Sequence, residues 1–367
     1  MKNFNNFFDK KTVLVTGNTG FKGSWLTLWL LKLGSNVVGF SKDIPTKRSL
    51  YSDAIIENEI QQIWGDILNE DLLTKTIKKY KPEIIFHLAA QAIVSDSYIS
   101  PLETFKTNAL GTASLLEATK KTDLDCIFIS ITSDKSYDNQ EGDRGYIETD
   151  RLGGKDPYSA SKGAAELILK SYFFSFLKNS QIKLGIGRAG NVLGGGDWAT
   201  SRIIPDAFRS WKLAKPLEIR SPNSTRPWQL VLEPLSGYLH LAEKLSTNAE
   251  LSGEAFNFGP NYEDINTVQE LITKIYSFTK KYNFGENFFK ITHDSQFQES
   301  KLLRLNCEKA LNYLNWKPNL NFDEVCMFIS DWYETCTDKS DLANSFSLNQ
   351  IDKFENIAKK RKMSWTV

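Results

Sequence analysis

The sequence predicts an α/β fold: a doubly wound parallel sheet in the first half, then a smaller α+β region. Three observations carry this. Short apolar runs rich in Val and Ile alternate with helical patterns up to about residue 190. Those runs are continuously apolar, as strands covered on both faces are, and their alternation with helices reads as parallel sheet. Past about residue 190, Gly, Pro and Trp become frequent, as in GGGDW at 194–198 and Pro205, Pro216, Pro222 and Pro227.

The elements follow in order. Val13-Leu14-Val15 is a strand running into glycines. Residues 21 to 33 have helical spacing, and Gly34 stops them as a helix C-cap does. Val37 to Phe40 is the second strand. A helix at 70–80 is broken by Pro82, and Ile84 to Leu88 is the next strand. A helix at 101–121, a strand at Cys126 to Ile131, a helix at 158–178 and a strand at Leu184 to Arg188 complete the series. Residues near 230–245 and 255–260 have the pattern of elements returning to the sheet.

At about 100–200 residues per domain, 367 residues suggest two domains. The expected division is 1–190 for the sheet with returning segments near 230–260, 191–340 for a ligand-binding part, and 341–367 for a polar tail. Lys359-Lys360-Arg361-Lys362 in that tail reads as a solvated helix end. Lys and Arg number 45 against 44 Asp and Glu, a balance that disfavours a nucleic-acid partner. Cys126, Cys307, Cys326 and Cys336 show no CxxC spacing, so free thiols are expected and no metal site. The N-terminal MKNFNNFFDKK has no apolar core like that of a signal peptide. No apolar run nears the ~18 residues of a membrane span. The expectation is a cytoplasmic protein with no membrane contact.

The first strand leads into Gly17-Asn18-Thr19-Gly20-Phe21-Lys22-Gly23 and then a helix. Glycines at Gly17, Gly20 and Gly23 let the backbone turn tightly and approach a pyrophosphate, which the helix N-terminus attracts. Strand, glycine turn and helix in succession predict a Rossmann-type dinucleotide site. The acid expected at the end of the second strand is missing, and Ser41 stands near that place, followed by Lys42 and Asp43. NAD is favoured on these residues, with NADP still open. Asp66 reads either as a contact to the adenine amino group or as the N-cap of the next helix.

Tyr158 and Lys162 are four apart on a predicted helix and so share a face. An ammonium beside a phenol favours the phenolate, so Lys162 is expected to lower the Tyr158 pKa and make a base. Thr132-Ser133-Asp134-Lys135 follows a strand directly. It puts a hydroxyl, a carboxyl and an amine where parallel sheets bind ligands.

GxxGxxG, His87-Leu88-Ala89-Ala90, Asn108 with Gly111, and YxxxK together resemble the extended short-chain dehydrogenases/reductases. More narrowly the chain resembles the CDP-glucose 4,6-dehydratases. TGNTGFKGSWL (16–26), TSDKSYDN (132–139), DPYSASKGAAEL (156–167), GRAGNVLGGGDW (187–198) and RPWQLVLEPLSGYL (226–239) carry the likeness. It implies NAD held also by Ile67, Leu88, Ala89, Ala90 and Asn108, with Tyr158 and Lys162. It implies that Tyr158 deprotonates a sugar 4-hydroxyl as NAD⁺ takes the C4 hydride, that Lys162 holds the nicotinamide ribose, and that Ser133 bonds the 4-hydroxyl. Lys135 would then remove the C5 proton, Asp134 would protonate the leaving 6-hydroxyl, and the hydride would return to C6. Gln91, Asn191, Arg226 and Glu299 match substrate-contact positions. A homodimer through the helices at about 101–120 and 158–178 is also implied, with Leu167, Ile168 and Phe173 facing either a partner or the core.

The chain departs from that family's pattern at Asn18, where a His is familiar, at Ile147, at Ala92 to Ser95 and at Gln298. Simple epimerases of the superfamily carry small residues at the Asp134-Lys135 position, which favours dehydration. Inverting dehydratases share the Asp-Lys pair but typically lack the tyrosine. The alternatives are a 4-epimerase, a dehydratase of another nucleotide-sugar, and a non-catalytic nucleotide-binding assembly protein.

Overall fold

The computed structural model describes residues 3–142, 144–261, 263–292 and 303–366. Seven parallel strands form one sheet. In chain order they are β1 (Thr12–Thr16), β2 (Asn36–Ser41), β3 (Gln61–Trp64), β4 (Ile84–His87), β5 (Cys126–Ile131), β6 (Ile182–Ala189) and β7 (Glu254–Phe258). Their spatial order is β7-β6-β5-β4-β1-β2-β3. The chain builds outward from β1 in one direction and then restarts at β4 on the other side. The crevice between β1 and β4 is therefore the topological switch point, where such sheets bind ligands at their carboxyl ends. β7 arrives from the second half and pairs with β6 from Glu254↔Gly185 to Phe258↔Ala189.

Helices cover both faces. On one face Leu14, Val38, Ile85, Phe128 and Leu184 pack on Leu73 and Ile77 of α2 (Glu70–Tyr80), Leu115 of α3 (Gly111–Lys120) and Leu169 of α4 (Pro157–Tyr172). On the other, Val13, Val15, Phe86 and Ile129 pack on Trp25 and Trp29 of α1 (Phe21–Lys32) and on Leu241 and Leu245 of α5 (Leu232–Thr247). Neighbouring residues of β1 thus face opposite cores, as the two-residue repeat of a strand requires. The predicted helix at 158–178 is α4 followed by a π-turn at Phe173–Leu177. The one at 101–121 is a turn at Pro101–Phe105, a π-turn at Lys106–Leu110 and then α3.

The polar tail is more ordered than its composition suggests. It forms α7 (Ala343–Lys360), which packs on α6 (Phe322–Cys336) and buries Ile351, Phe354 and Ala358. Trp365 stacks on Phe354 at 5.8 Å and on Phe4 at 5.2 Å. Glu355 accepts a hydrogen bond from Trp29 Nε1 at 2.7 Å and pairs with Lys32 at 2.5 Å, tying α7 to α1. Lys359 to Lys362 are exposed. Among the described residues no helix is long and apolar enough to cross a membrane.

Candidate active site

The glycine turn is shaped by contact as much as by torsion. Gly17 has φ +74°, and a Cβ there would lie 2.6 Å from the Ala89 nitrogen on the neighbouring β4 end. A Cβ on Gly23 would lie 2.1 Å from the Gly17 carbonyl oxygen, so only glycine lets α1 sit this close to the turn. Gly20 is the N-cap of α1 and supplies no side-chain cap. Backbone N–H groups at this end are therefore left for an anion such as a diphosphate. The cradle fits a dinucleotide. Thr19 and Phe21 lie within this turn and at the start of α1.

Asn18 is buried behind the turn. It donates from Nδ2 to Gln62 Oε1 at 2.7 Å and accepts from Ser41 Oγ at 2.8 Å. Tyr51 Oη also donates to Gln62, at 2.8 Å. Ser41 is thus engaged by the cradle, and Thr19 N–H approaches it at 3.4 Å. Asp66 is not the helix N-cap: Asn69 caps α2, accepting from Leu72 N–H at 3.0 Å. Asp66 instead accepts from Leu68 N–H at 3.0 Å and pairs with Lys42 at 2.9 Å. Those two bonds hold its carboxyl below the usual range, against a cost of partial burial. Ile67 is buried against Gly111 at the start of α3.

At the end of β4, His87 lies between Thr16 Oγ1 at 2.8 Å and Thr112 Oγ1 at 3.0 Å. Burial, with the charge of Lys162, lowers its pKa to about 3, so it is a neutral spacer. Leu88 and Ala89 continue from it, their N–H groups reaching Thr16 O at 3.0 Å and Thr16 Oγ1 at 3.4 Å, and Ala90 follows. Asn108 sits in the π-turn before α3. It accepts from Gln91 N–H at 2.8 Å and donates to Gln91 O at 3.1 Å and Ser161 Oγ at 2.8 Å. One side chain so joins the β4 loop to α4.

Asp156 caps α4 by accepting from Ser159 N–H at 2.9 Å, and Pro157 occupies the first helical position. Tyr158 therefore starts the first turn and Lys162 lies one turn on; both are buried. Ser133, Asp134 and Lys135 form a tight turn straight after β5. Ser133 Oγ donates to Asp134 Oδ1 at 2.9 Å and accepts from Lys135 N–H at 3.2 Å. Tyr158 is hydrogen-bonded to Ser133. The structure brings Ser133, Asp134 and Tyr158 together, with Lys162 one helical turn on from Tyr158.

The expected depression of the Tyr158 pKa is not found. Burial is the largest influence and Asp134 adds to it, so the phenol is pushed up to about 12 although Ser133 and Arg202 act the other way. Lys162 is lowered to about 8 by burial, opposed by Glu166. Helical spacing places the two groups on one face but says nothing of the desolvation each suffers there.

Beside Asp134 opens a cleft. A Cβ on Gly190 would be 3.0 Å from Asp134 Oδ2, and Gly190, Pro227, Gly259, Asp264 and Arg304 line the space beyond it. Asn191 follows Gly190 and is half-buried. Arg226 is half-buried on a two-residue strand paired antiparallel with Asn266–Thr267, its Nη1 on Thr225 O at 2.8 Å. Glu299 and Gln298 lie outside the described residues.

Several residues here, unlike Lys22 of the predicted cofactor turn, were not singled out by motif. The Lys22 ammonium lies 5.7 Å from the Tyr238 ring. Burial, with Lys162 and Arg202, lowers it to about 7 against the pull of Asp134. Arg202 precedes the helix at Ile203–Lys212 and pairs with Asp197 at 2.8 Å. Glu166, one turn after Lys162, is ion-paired with Arg188 and accepts from Thr132 Oγ1 at 2.7 Å. Arg188 also donates to Tyr137 Oη at 2.7 Å, which donates to Asn257 Oδ1 at 2.8 Å. Helix α4, the turn after β5, β6 and β7 are so locked together. Their signals were present in part: Glu166 is at i+4 from Lys162, and the Asp-Pro before Tyr158 is a helix-start pattern. Among the described residues no cluster of His, Cys, Asp and Glu has the arrangement of a metal site.

The family model for GDP-mannose 4,6-dehydratase matches residues 14–328. The CDP-glucose 4,6-dehydratase of Salmonella typhimurium is 42% identical over 335 residues, covering 90% of this chain and 92% of the relative. Two solved structures share the fold. The UDP-glucose 4-epimerase of Thermotoga maritima, determined with UDP-glucose, superposes with TM-score 0.75 at 21% identity, covering 89% of this chain and 99% of that one. The dTDP-glucose 4,6-dehydratase of Bacillus anthracis, determined with NAD, gives 0.72 at 22%, covering 89% and 98%.

Proposed function

The chain belongs to the GDP-mannose 4,6-dehydratase family, and on that premise we propose that it converts CDP-D-glucose to CDP-4-dehydro-6-deoxy-D-glucose and water. The observation that carries this is the hydrogen-bonded set of Tyr158, Ser133 and Asp134 beside the glycine cradle. NAD is the cofactor. Lys42, the cation next to Ser41, is held by Asp66 at 2.9 Å, which supports the unphosphorylated form.

Bound NAD supplies the acceptor for the C4 hydride, gives that hydride back to C6, and brings positive charge that favours a phenolate. The chain's residues handle the protons. Tyr158 takes the 4-hydroxyl proton, and Ser133 lies within reach of the same oxygen. The C4 ketone then acidifies C5–H, and Lys135 in its amine form removes that proton. Asp134 as the carboxylic acid protonates the departing 6-oxygen, which leaves as water. Elimination follows oxidation because only the ketone makes C5 acidic. Lys162 holds the nicotinamide ribose and adds positive charge.

Residues 1–190 with the segments near 230–260 form the cofactor part, and 191–340 the substrate part. In the latter Asn191 and Arg226 meet the nucleotide-sugar, and a fork of guanidinium donors suits a diphosphate. Glu299 is assigned the nucleotide ribose. The substrate and the cofactor are both water-soluble nucleotides, which suits a cytoplasmic enzyme. We also propose a homodimer through the helices at 101–120 and 158–178. Leu167 is 59% exposed, and Leu102, Leu110, Phe174 and Phe176 are exposed with it, a concentration of apolar side chains that a monomer would leave in water. Ile168 and Phe173 instead pack inward.

The test is incubation of the purified protein with CDP-, dTDP-, GDP- and UDP-glucose, following ketosugar absorbance in alkali. Ketosugar from CDP-glucose is expected, and Tyr158→Phe should lower its rate by about 10²–10⁴-fold. Product from another nucleotide alone would move the substrate, and none from any would overturn a dehydratase.

A further inference from the structure

The acid expected at the end of the second strand of a dinucleotide fold is absent here, and Ser41, the last residue of β2, stands in its place. What a serine does there depends on where its single proton goes. Two amides decide this. On β3, Gln62 Nε2 lies 3.0 Å from the Ile63 carbonyl oxygen, which can only accept. The other end of that amide, Oε1, therefore faces Asn18, and Asn18 presents Nδ2 to it at 2.7 Å. Turning Gln62 over would set two acceptors together at Ile63, and turning Asn18 alone would do so at Gln62. Asn18 Oδ1 is left against Ser41 Oγ at 2.8 Å, and it too can only accept. Ser41 donates to it, so its one proton is committed inside the protein. Thr19 N–H approaches a lone pair of the same hydroxyl at 3.4 Å. Gly39 makes room for the arrangement: a Cβ there would lie 2.3 Å from Asn18 Nδ2 and 2.7 Å from Gln62 Oε1. Asn18 is fully buried and Ser41 is 5% exposed, which keeps water from competing for these bonds.

We infer that Asn18 and Gln62 are positioning residues for the adenosine ribose of the cofactor. They hold Ser41 as an acceptor only, so that a neutral serine recognises a 2′-hydroxyl as the missing carboxylate would. A 2′-hydroxyl has a proton to give to the remaining Ser41 lone pair. A 2′-phosphate at neutral pH is rich in acceptors and meets no donor from Ser41. Lys42, next in the chain, would draw such a phosphate, but Asp66 holds its ammonium at 2.9 Å. Selection of NAD over NADP then comes from the direction of hydrogen bonds and not from a negative charge. The inference rests on the NAD-dependent reading above and adds the residues that enforce it.

The test is equilibrium binding of NAD, 2′-deoxy-NAD and NADP to the purified protein by calorimetry, with no turnover involved. In the parent, 2′-deoxy-NAD and NADP should each bind about tenfold or more weakly than NAD. Ser41→Ala should bind NAD and 2′-deoxy-NAD equally. Asn18→Leu and Gln62→Met both release the Ser41 proton, so in both the ratio of the NADP Kd to the NAD Kd should fall severalfold. Gln62→Met makes the change one residue further from Ser41 and decides the matter should Asn18→Leu not fold. A merely structural role for these amides would weaken all three ligands alike and keep the ratios of the parent. That outcome overturns the inference while leaving NAD as the cofactor, as does a parent that binds NAD and 2′-deoxy-NAD equally. A parent that binds neither NAD nor NADP would remove the cofactor reading as well.

Discussion

Glu166 and Arg188 form an ion pair in which neither side chain is exposed to solvent. Arg188 Nε lies 2.8 and 2.9 Å from the two carboxylate oxygens. Glu166 is on α4, and Thr132, which also bonds it, immediately precedes Ser133. The pair ties α4, which carries Tyr158, to the segment leading into Ser133. Glu166→Gln leaves a buried guanidinium without its counter-charge, which should cost about 3–5 kcal/mol. A Glu166→Leu/Arg188→Met double variant should be more stable than either single change. Urea unfolding of the parent and of each of these variants checks this.

Lys135→Met should separate the two halves of the reaction. Reduced nicotinamide should still form with CDP-glucose, while exchange of the C5 hydrogen with deuterated solvent should stop. Mass spectrometry of recovered substrate and product reads the exchange. Continued exchange at the parent rate would assign the C5 base elsewhere.

Glu233 on α5 is buried and accepts from Asn319 N–H at 3.0 and 2.9 Å and from Leu320 N–H at 2.6 Å. Burial still raises its pKa to about 8 despite those bonds. The folded protein therefore binds more protons at this group than the unfolded chain between about pH 4.5 and 8. Stability from it is full below that window and declines as pH rises through it. Glu233→Gln keeps an acceptor and removes the titration. Its thermal midpoint should fall less than the parent's between pH 5 and 8, by scanning calorimetry in matched buffers.

Replacing Leu167 and Phe174, which are 59% and 68% exposed, by Asp should disrupt self-association. Sedimentation velocity should show a dimer for the parent and a monomer for the double variant. A monomeric parent would remove the proposed interface.

Much of the scaffold was legible because buried parallel strands are continuous apolar runs. Cys126–Ile131 matches its predicted bounds, the other predicted strands shift by one or two residues, and the edge strand β3 (Gln61–Trp64) was not predicted. The glycine cradle and the Tyr158–Lys162 spacing were legible because backbone geometry imposes them locally. The Tyr158 pKa was not, since desolvation is set by side chains from distant segments. Nor were Asp264 and Arg304, which reach the cleft only once β7 has returned to the sheet. The docking of α7 was hidden by averaging: its Ile351, Phe354 and Ala358 stripe is lost among polar neighbours.

β7 completes the sheet, and it is residues 254–258 of the chain. As a nascent polypeptide leaves the ribosome, the first six strands are available well before it. Until β7 arrives, β6 is an open edge of unpaired backbone groups, able to capture a strand from another chain. Synthesis therefore includes an interval when aggregation competes with completion. A chaperone that shields that edge would protect this enzyme more than one acting on the finished fold.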